Sequence, residues 1–245
     1  MQIAIVADAH LGGPGGSAAP LVDQLRRLPD MGCERLVILG DLFHVWVGDQ
    51  RYETPEIASA VAALRELRRR GVWIGYVEGN RDFFLAGSSY RDAFDELGQE
   101  LVVQYRGRRC LFVHGDGLNS RDVRYLFWRW LSKSPPSRLL FRRLPGALAR
   151  RIVAGTERRL GRTNFRHKTR IPDEVITSYA ARRLREGYDL LLLGHFHEPR
   201  RYRVAGGEAQ IVEAWFHEPR LRSLDELLAP IGGADGVAMA TGEDA

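Results

Sequence analysis

Short apolar runs closed by polar or glycine residues recur along the chain, and their spacing predicts a regular order of elements. Residues 2–7, 35–39, 72–77, 101–105, 109–113 and 189–193 read as buried strands, each four to six residues long and rich in Val, Ile and Leu. Between them, residues 20–29 and 172–186 carry helical periodicity, and residues 88–97 are expected to form a further helix. The clearest helix is 55–70, PEIASAVAALRELRRR, with Pro at its start, apolar residues at three- and four-residue spacing, and Arg at its end before Gly71. Strands over 200–205 and 209–215 close the pattern, and the Gly/Ala-rich tail from about 230 is expected to be disordered. This alternation is that of an α/β protein, and periodicity alone suggests an open parallel sheet.

The alternation stops once. Residues 117–170 read as helical segments broken at Pro135-Pro136 and Pro145, with no strand. They form an insertion into one α/β domain spanning 1–229 rather than a domain of their own, and LGGPGGSAAP at 11–20 is a Gly/Pro loop. A chain of 245 residues is long enough to bury a sizeable core. No stretch approaches the roughly 18 apolar residues of a membrane span. A strand pattern and a ligand motif by residue 8 leave no room for a cleaved signal peptide. Cys33 and Cys110 lie beside or within apolar runs and read as buried reduced thiols, which suits a cytoplasmic protein.

Charge changes the picture of the insertion. Residues 121–170 hold 15 Lys or Arg against Asp122 and Glu157, a local +13 within a net +5, so the rest of the chain carries −8. Leu126, Phe127, Trp128, Trp130, Leu131, Leu139, Leu140, Phe141 and Leu144 interleave with Arg124, Arg129, Arg138, Arg142 and Arg143. Such a basic, aromatic, amphipathic segment suits an anionic membrane interface. It also suits single-stranded nucleic acid, and packing of these residues onto the main domain accounts for part of the pattern.

The chemistry sits at the strand ends. Asp8-Ala9-His10 follows IAIVA, Gly40-Asp41 follows RLVIL, Gly79-Asn80-Arg81-Asp82 follows VWIGYVE, His114-Gly115-Asp116 follows CLFV, and Gly194-His195-Phe196-His197 follows DLLLL. Strand ends are where an α/β fold gathers residues distant in sequence. A two-cation site for phosphoryl transfer needs a bridging carboxylate with oxygen and imidazole ligands, and the cations then lower the pKa of a water that attacks phosphorus. Asp8, His10, Asp41, Asn80, His114, His195 and His197 supply that set, with Asp41 as the bridge. A lone Asp-x-His or Gly-Asp means little, but five such motifs in order are a stronger signal. His44, His167 and His217 fall outside it and read as structural or surface residues.

The order D-x-H, G-D, G-N, H, G-H-x-H resembles that of the calcineurin-like metallophosphoesterases. The resemblance implies a two-layered β-sandwich flanked by helices, here with a helical lid. Most of that superfamily has His after the third-motif Asn, where this chain has Arg81. A guanidinium binds phosphate oxygens bidentately but does not give up its proton, which points to a pyrophosphate whose leaving group needs no acid. GDLFHVWVGD (40–49), EGNRDFFL (78–85) and HGDGLNSRDVRYLFWR (114–129) resemble the UDP-2,3-diacylglucosamine pyrophosphatases of lipid A biosynthesis, over residues 2 to about 217.

That resemblance implies hydrolysis of UDP-2,3-diacylglucosamine to UMP and 2,3-diacylglucosamine 1-phosphate, with two Mn2+ per chain and water attack at the α-phosphorus. It implies catalytic roles for Asp41, Asn80, Arg81 and His195. Substrate contacts are implied at Asn80, Arg81, Asp122, Tyr125, Asn164, Lys168 and His195. The partners it implies are the UDP-linked lipid and an anionic membrane, with a monomer in the cytoplasm at the inner membrane and no nucleic acid. Departures fall on the lid, where Leu160 replaces a Ser and the Asn164 to Lys168 spacing is one residue longer, and on Phe196, which replaces a Thr. Rival readings are a divergent phosphoesterase acting on another nucleotide diphosphate or phospholipid, and a non-catalytic binding module using the basic lid.

Overall fold

The computed structural model describes residues 2–13, 16–144, 148, 151, 155, 172–204, 206–229 and 237–239. The first half comprises β1 (Ile3–Val6), α1 (Ala19–Arg27), β2 (Arg35–Ile38), β3 (Trp46–Val47), α2 (Pro55–Arg69) and β4 (Trp73–Val77). Next come β5 (Asp82–Phe83), β6 (Glu96–Gly98), β7 (Glu100–Tyr105), β8 (Arg108–Val113), α3 (Val123–Lys133) and α4 (Pro135–Arg143). The chain continues through α5 (Asp173–Arg185), β9 (Leu190–Leu193), β10 (Arg200–Val204), β11 (Gly207–Ile211), β12 (Arg222–Ser223), α6 (Leu224–Leu228) and β13 (Val237–Met239).

The strands form two main sheets, ordered β12-β1-β2-β4-β6 and β13-β10-β11-β9-β8-β7. Because successive strand residues point to opposite faces, each sheet has two buried faces to cover. Ile3, Ile5, Val37 and Val77 of the first sheet meet Leu101, Val103, Phe112, Leu190 and Leu192 of the second, which makes the layers a sandwich. On the outer face of the first sheet, Ala4, Val6, Leu36, Ile38 and Tyr76 pack with Leu21 and Leu25 of α1 and Val61 and Leu64 of α2. On the outer face of the second, Leu111, Leu191, Leu193 and Ile211 pack with Ile176, Ala180 and Leu184 of α5. The sandwich implied by the family resemblance is therefore present, and the single open sheet suggested by periodicity is not. Continuous apolar strands are buried on both faces in either arrangement, so the pattern could not separate them.

Two local expectations change. The helix expected over 88–97 is a single 3-10 turn at Arg91–Ala93 followed by β6, which pairs in parallel with β4 from Gly75↔Glu96. The Asp95 carboxylate accepts the Ile74 N–H at 2.8 Å and Asp95 N–H donates to the Ile74 carbonyl, so edge pairing replaces helix here. Within the tail expected to be disordered, β13 pairs in parallel with β10. Both cysteines are buried and unpaired, and among the described residues no helix is long and apolar enough to cross a membrane.

Candidate metal centre

Strands β1, β2 and β4 run parallel in one sheet and β8 and β9 run parallel in the other, so their C-terminal ends deliver the five motifs to one place. The segments beyond β1 and β2 stay zipped together, with Asp8 N–H on the Gly40 carbonyl and His10 N–H on the Asp41 carbonyl at 3.2 and 3.0 Å. Glycine is needed where backbones touch. A Cβ at Gly40 would lie 2.6 Å from Gly79 N and 2.8 Å from His114 Nδ1, and Gly40 has φ +80°.

Bends at the motifs are tight. Asp8, His10, Asp41, His195 and His197 all adopt positive φ, between 48° and 67°, and among the described residues only Phe84 and Arg106 join them outside glycine. Such backbone costs on the order of 1–3 kcal/mol per residue and collects at functional sites. It is also how Asp8 and His10, two residues apart, turn toward the same point.

Two clusters result. Ligand-type atoms of Asp8, His10 and His197 lie within 4.8 Å of one another, as do those of Asp8, Asp41 and His114. His197 Nε2 is 3.2 Å from Asp8 Oδ1, and His114 Nε2 is 3.2 Å from Asn80 Oδ1 and 3.7 Å from Asp41 Oδ2. The His195 ring stands 5.1 Å from that of His114, and its backbone N–H donates to Asp8 Oδ2 at 2.7 Å. All seven side chains named from the motifs thus converge. His114 Nδ1–H donates to the Leu39 carbonyl at 2.7 Å, which turns Nε2 toward Asn80 and Asp41.

Burial alone would raise the Asp8 carboxyl, but the His197 hydrogen bond and the charges of His114, His197 and His10 hold it far below the usual carboxylate range. Burial raises Asp41, and the Asp8 charge adds to that against the opposing pull of His114 and Arg81. His114 would be lowered by burial, yet Asp41, Asp8 and Asp116 carry it upward. A buried carboxylate oxygen without a hydrogen bond, Asp41 Oδ2, faces this set. A buried anionic oxygen that accepts no hydrogen bond, beside imidazole nitrogens and an amide oxygen, is a donor set that fits divalent cations.

The other sequence-derived residues divide. Arg81 is 5 % exposed, its backbone N–H donates to Asp41 Oδ1 at 2.9 Å, and its Nε lies 3.5 Å from Asp41 Oδ2. Its Nη1 donates to the His44 carbonyl at 3.0 Å and lies 3.1 Å from His44 Nδ1. His44, read as a structural or surface residue outside the ligand set, is a direct neighbour of Arg81, and burial followed by the Arg81 charge lowers its pKa. Asp122 caps α3 by accepting Tyr125 N–H at 3.0 Å, and Tyr125 OH donates to Asp116 at 2.9 Å. Leu160, Asn164, His167 and Lys168 lie outside the described residues.

One brace was not singled out from sequence. Asp82 Oδ2 accepts Gly79 N–H at 2.7 Å, Tyr76 OH at 2.9 Å and Asp41 N–H at 3.1 Å, which ties two motif loops together. Burial, then Asp41, pushes its pKa up to about 6. Its place in GNRD was visible, but nothing in the sequence separated a brace from a ligand. On the lid, Phe127 is 53 % exposed and Trp128 and Trp130 are each 65 % exposed. A cleft of about 330 Å³ lies against α4, lined by Tyr52, Phe84 and Phe141 together with Arg51, Arg138 and Arg142.

Comparison with known proteins gives the family. The calcineurin-like phosphoesterase superfamily domain matches residues 1–129. A UDP-2,3-diacylglucosamine hydrolase of Edwardsiella ictaluri is 34 % identical over 203 residues, covering 81 % of this chain and 77 % of that protein. This chain belongs to the UDP-2,3-diacylglucosamine hydrolase family. Another member of the family, from Pseudomonas fluorescens, is 33 % identical over 209 residues, covering 84 % of this chain and 83 % of that protein. Among solved structures, the phosphoesterase Yfce from E. coli aligns with a TM-score of 0.43 at 18 % identity, over 87 % of this chain and 80 % of that one.

Proposed function

We propose that the protein hydrolyses the pyrophosphate bond of UDP-2,3-diacylglucosamine, giving UMP and 2,3-diacylglucosamine 1-phosphate, with two Mn2+ per chain. The observation that carries this is the convergence of the seven motif side chains on two adjoining clusters that share Asp8, with Asp41 Oδ2 buried and accepting no hydrogen bond, in a chain of this family. Asp8, His10, His197 and Asp41 would hold one ion, and Asp41, Asn80, His114 and His195 the other. When bound, such a pair polarises phosphoryl oxygens and supplies the attacking water in its reactive form.

The protein's own groups orient this chemistry. The Leu39 carbonyl fixes the tautomer of His114, and Arg81 N–H holds one Asp41 oxygen so that the other faces inward. The Arg81 guanidinium, anchored by His44, keeps positive charge beside the bridge, and with Asn80 it would hold the substrate phosphates. With water attacking the uridine-side phosphorus, the bond to the bridging oxygen breaks and 2,3-diacylglucosamine 1-phosphate departs as a stable phosphate anion, so the site has no need of a proton donor there.

Lid features support a lipid substrate met at a surface. Phe127, Trp128, Trp130, Leu139 and Leu140 are more than half exposed beside Arg124, Arg142 and Arg143. An apolar, basic face of this kind would sit on the anionic cytoplasmic leaflet of the inner membrane, with part of an acyl chain in the cleft against α4. The test is a panel of UDP-sugars, acylated and not, incubated with purified protein and Mn2+. Turnover is expected to favour the diacylated substrate, and equal rates on an unacylated UDP-sugar would remove the lipid assignment.

A further inference from the structure

The outer lid helix α3 is joined to the metal-site loops by a polar stripe. Tyr125, Arg129 and Lys133 recur at four-residue spacing, which places them along one side of the helix. Tyr125 OH and Arg129 Nε both donate to Asp116 Oδ2, at 2.9 and 2.5 Å. Arg129 Nη2 donates to Gln99 Oε1 at 2.5 Å, and Gln99 in turn donates to Glu78 at 2.6 Å. Lys133 Nζ donates to the Gly79 carbonyl at 2.6 Å. No residue of α3 is buried, so a hydrophobic core does not hold the helix. Among the described residues, its side-chain hydrogen bonds to the main domain all end at Gly79, Gln99 and Asp116.

Those endpoints flank two of the side chains assigned to one ion. Gly79 precedes Asn80, and its N–H is already held by Asp82 at 2.7 Å. With its carbonyl on Lys133, the backbone on both sides of Gly79 is fixed just before the Asn80 amide meets His114. Asp116 follows His114 by two residues, across Gly115 at φ +106°. Clamping Asp116 through Tyr125 and Arg129 fixes that turn.

We propose that Arg129 and Lys133 are positioning residues for Asn80 and His114, so that α3 is part of the scaffold of the metal centre as well as a lid over it. The stripe faces the centre while the aromatic face of the helix stays exposed, and the two faces have separable duties. Partners that orient ligands from behind typically alter metal affinity or activity 10–100-fold when removed. This inference rests on the metallophosphoesterase reading of the site.

The experiment compares R129A, K133A and the conservative R129K and K133R with wild type. It reads Mn2+ affinity by calorimetry, kcat and KM on the soluble diester bis(p-nitrophenyl) phosphate, and thermal unfolding of the metal-free chains. R129A and K133A are expected to weaken one Mn2+ site about 10–100-fold and lower kcat at least about tenfold with KM little changed. R129K and K133R are expected to recover most of both. K133A removes a surface-attached amine without stranding a buried charge, so it decides the matter if R129A does not fold. Wild-type Mn2+ affinity and kcat in K133A, or losses confined to unfolding temperature, would overturn the proposal while leaving the reading of the site intact. Failure of the wild type to bind Mn2+ or to cleave the diester would remove both.

Discussion

Replacing Asp41 by Asn separates the cost of building this centre from its use. Asp41 is fully buried at φ 51°, a backbone conformation that Asn tolerates and Ala does not, so D41N perturbs the charge with the least backbone strain. An Asn oxygen can still accept Arg81 N–H in place of Oδ1, while the inward Oδ2, which accepts no hydrogen bond, becomes an amide nitrogen. Because burial and Asp8 raise the Asp41 pKa despite His114 and Arg81, its surroundings disfavour the anion when no cation is bound. The metal-free variant should therefore be at least as stable as wild type, as expected where stability is traded for function.

With metal, the order reverses. At free Mn2+ of about 100 times Kd, a single site stabilises the native state by about 2.7 kcal/mol. For a chain of this length, 1 kcal/mol shifts Tm by about 2–4 °C, so wild type should gain roughly 5–11 °C per site. D41N should gain less than a few degrees and lose at least about 2.7–4 kcal/mol of transition-state stabilisation, the range for removal of one charge-stabilising group. Differential scanning fluorimetry with and without Mn2+, alongside metal content and turnover, reads all three effects. A variant that binds two ions, shows the wild-type Tm gain and turns over near normally would refute the bridging role.

Arg81→Ala should lose about 2.7–4 kcal/mol of transition-state stabilisation on a pyrophosphate, and Arg81→His should not recover it; a His variant matching wild type would show that an acid is needed after all. Truncating Trp128 and Trp130 to Ala should slow turnover of the acylated substrate while sparing bis(p-nitrophenyl) phosphate, and equal losses on both would make these residues structural. Arg142→Gln with Arg143→Gln should release the protein from anionic vesicles, as should raised salt; Arg138 is a poor choice because it donates to the Gly87 carbonyl. Burial opposes, but His114, Arg129 and His195 together hold Asp116 down at about 2 from 3.8. Its folded pKa is depressed, so about 2 kcal/mol of stability is present above about pH 4 and is lost as pH falls through about 2. Denaturant titrations of metal-free wild type and Asp116→Asn across that window should differ by about this amount, and parallel profiles would contradict the assignment.

The order of the Asp, Asn and His motifs at strand ends carried most of what the sequence could show, and the structure explains the glycines beside them. Gly40 sits where Cβ would meet the Gly79 backbone, so the glycines of Gly-Asp and Gly-Asn stand where strand ends approach closely. What the sequence could not show is the left-handed backbone at Asp8, His10, Asp41, His195 and His197, since Asp and His enter that region more readily than most residues but are far more often found outside it. The sandwich was legible only through family resemblance, because strands buried on both faces look alike in one sheet or two. Residues 88–97 failed as a helix for a tertiary reason, the pairing of β6 with β4 supported by Asp95. In α3 the aromatic, basic pattern drew attention to the exposed face, and the Tyr125, Arg129 and Lys133 stripe was hidden within it because its partners cannot be read from local spacing.

Attack by water on the uridine-side phosphorus of a diacylated UDP-sugar leaves an isotopic signature in the products. Purified protein with Mn2+ would be incubated with UDP-2,3-diacylglucosamine in H2(18)O, and both products analysed by mass spectrometry. A single heavy oxygen is expected in UMP and none in 2,3-diacylglucosamine 1-phosphate. Label in the sugar phosphate, or no hydrolysis with Mn2+ supplied, would contradict it.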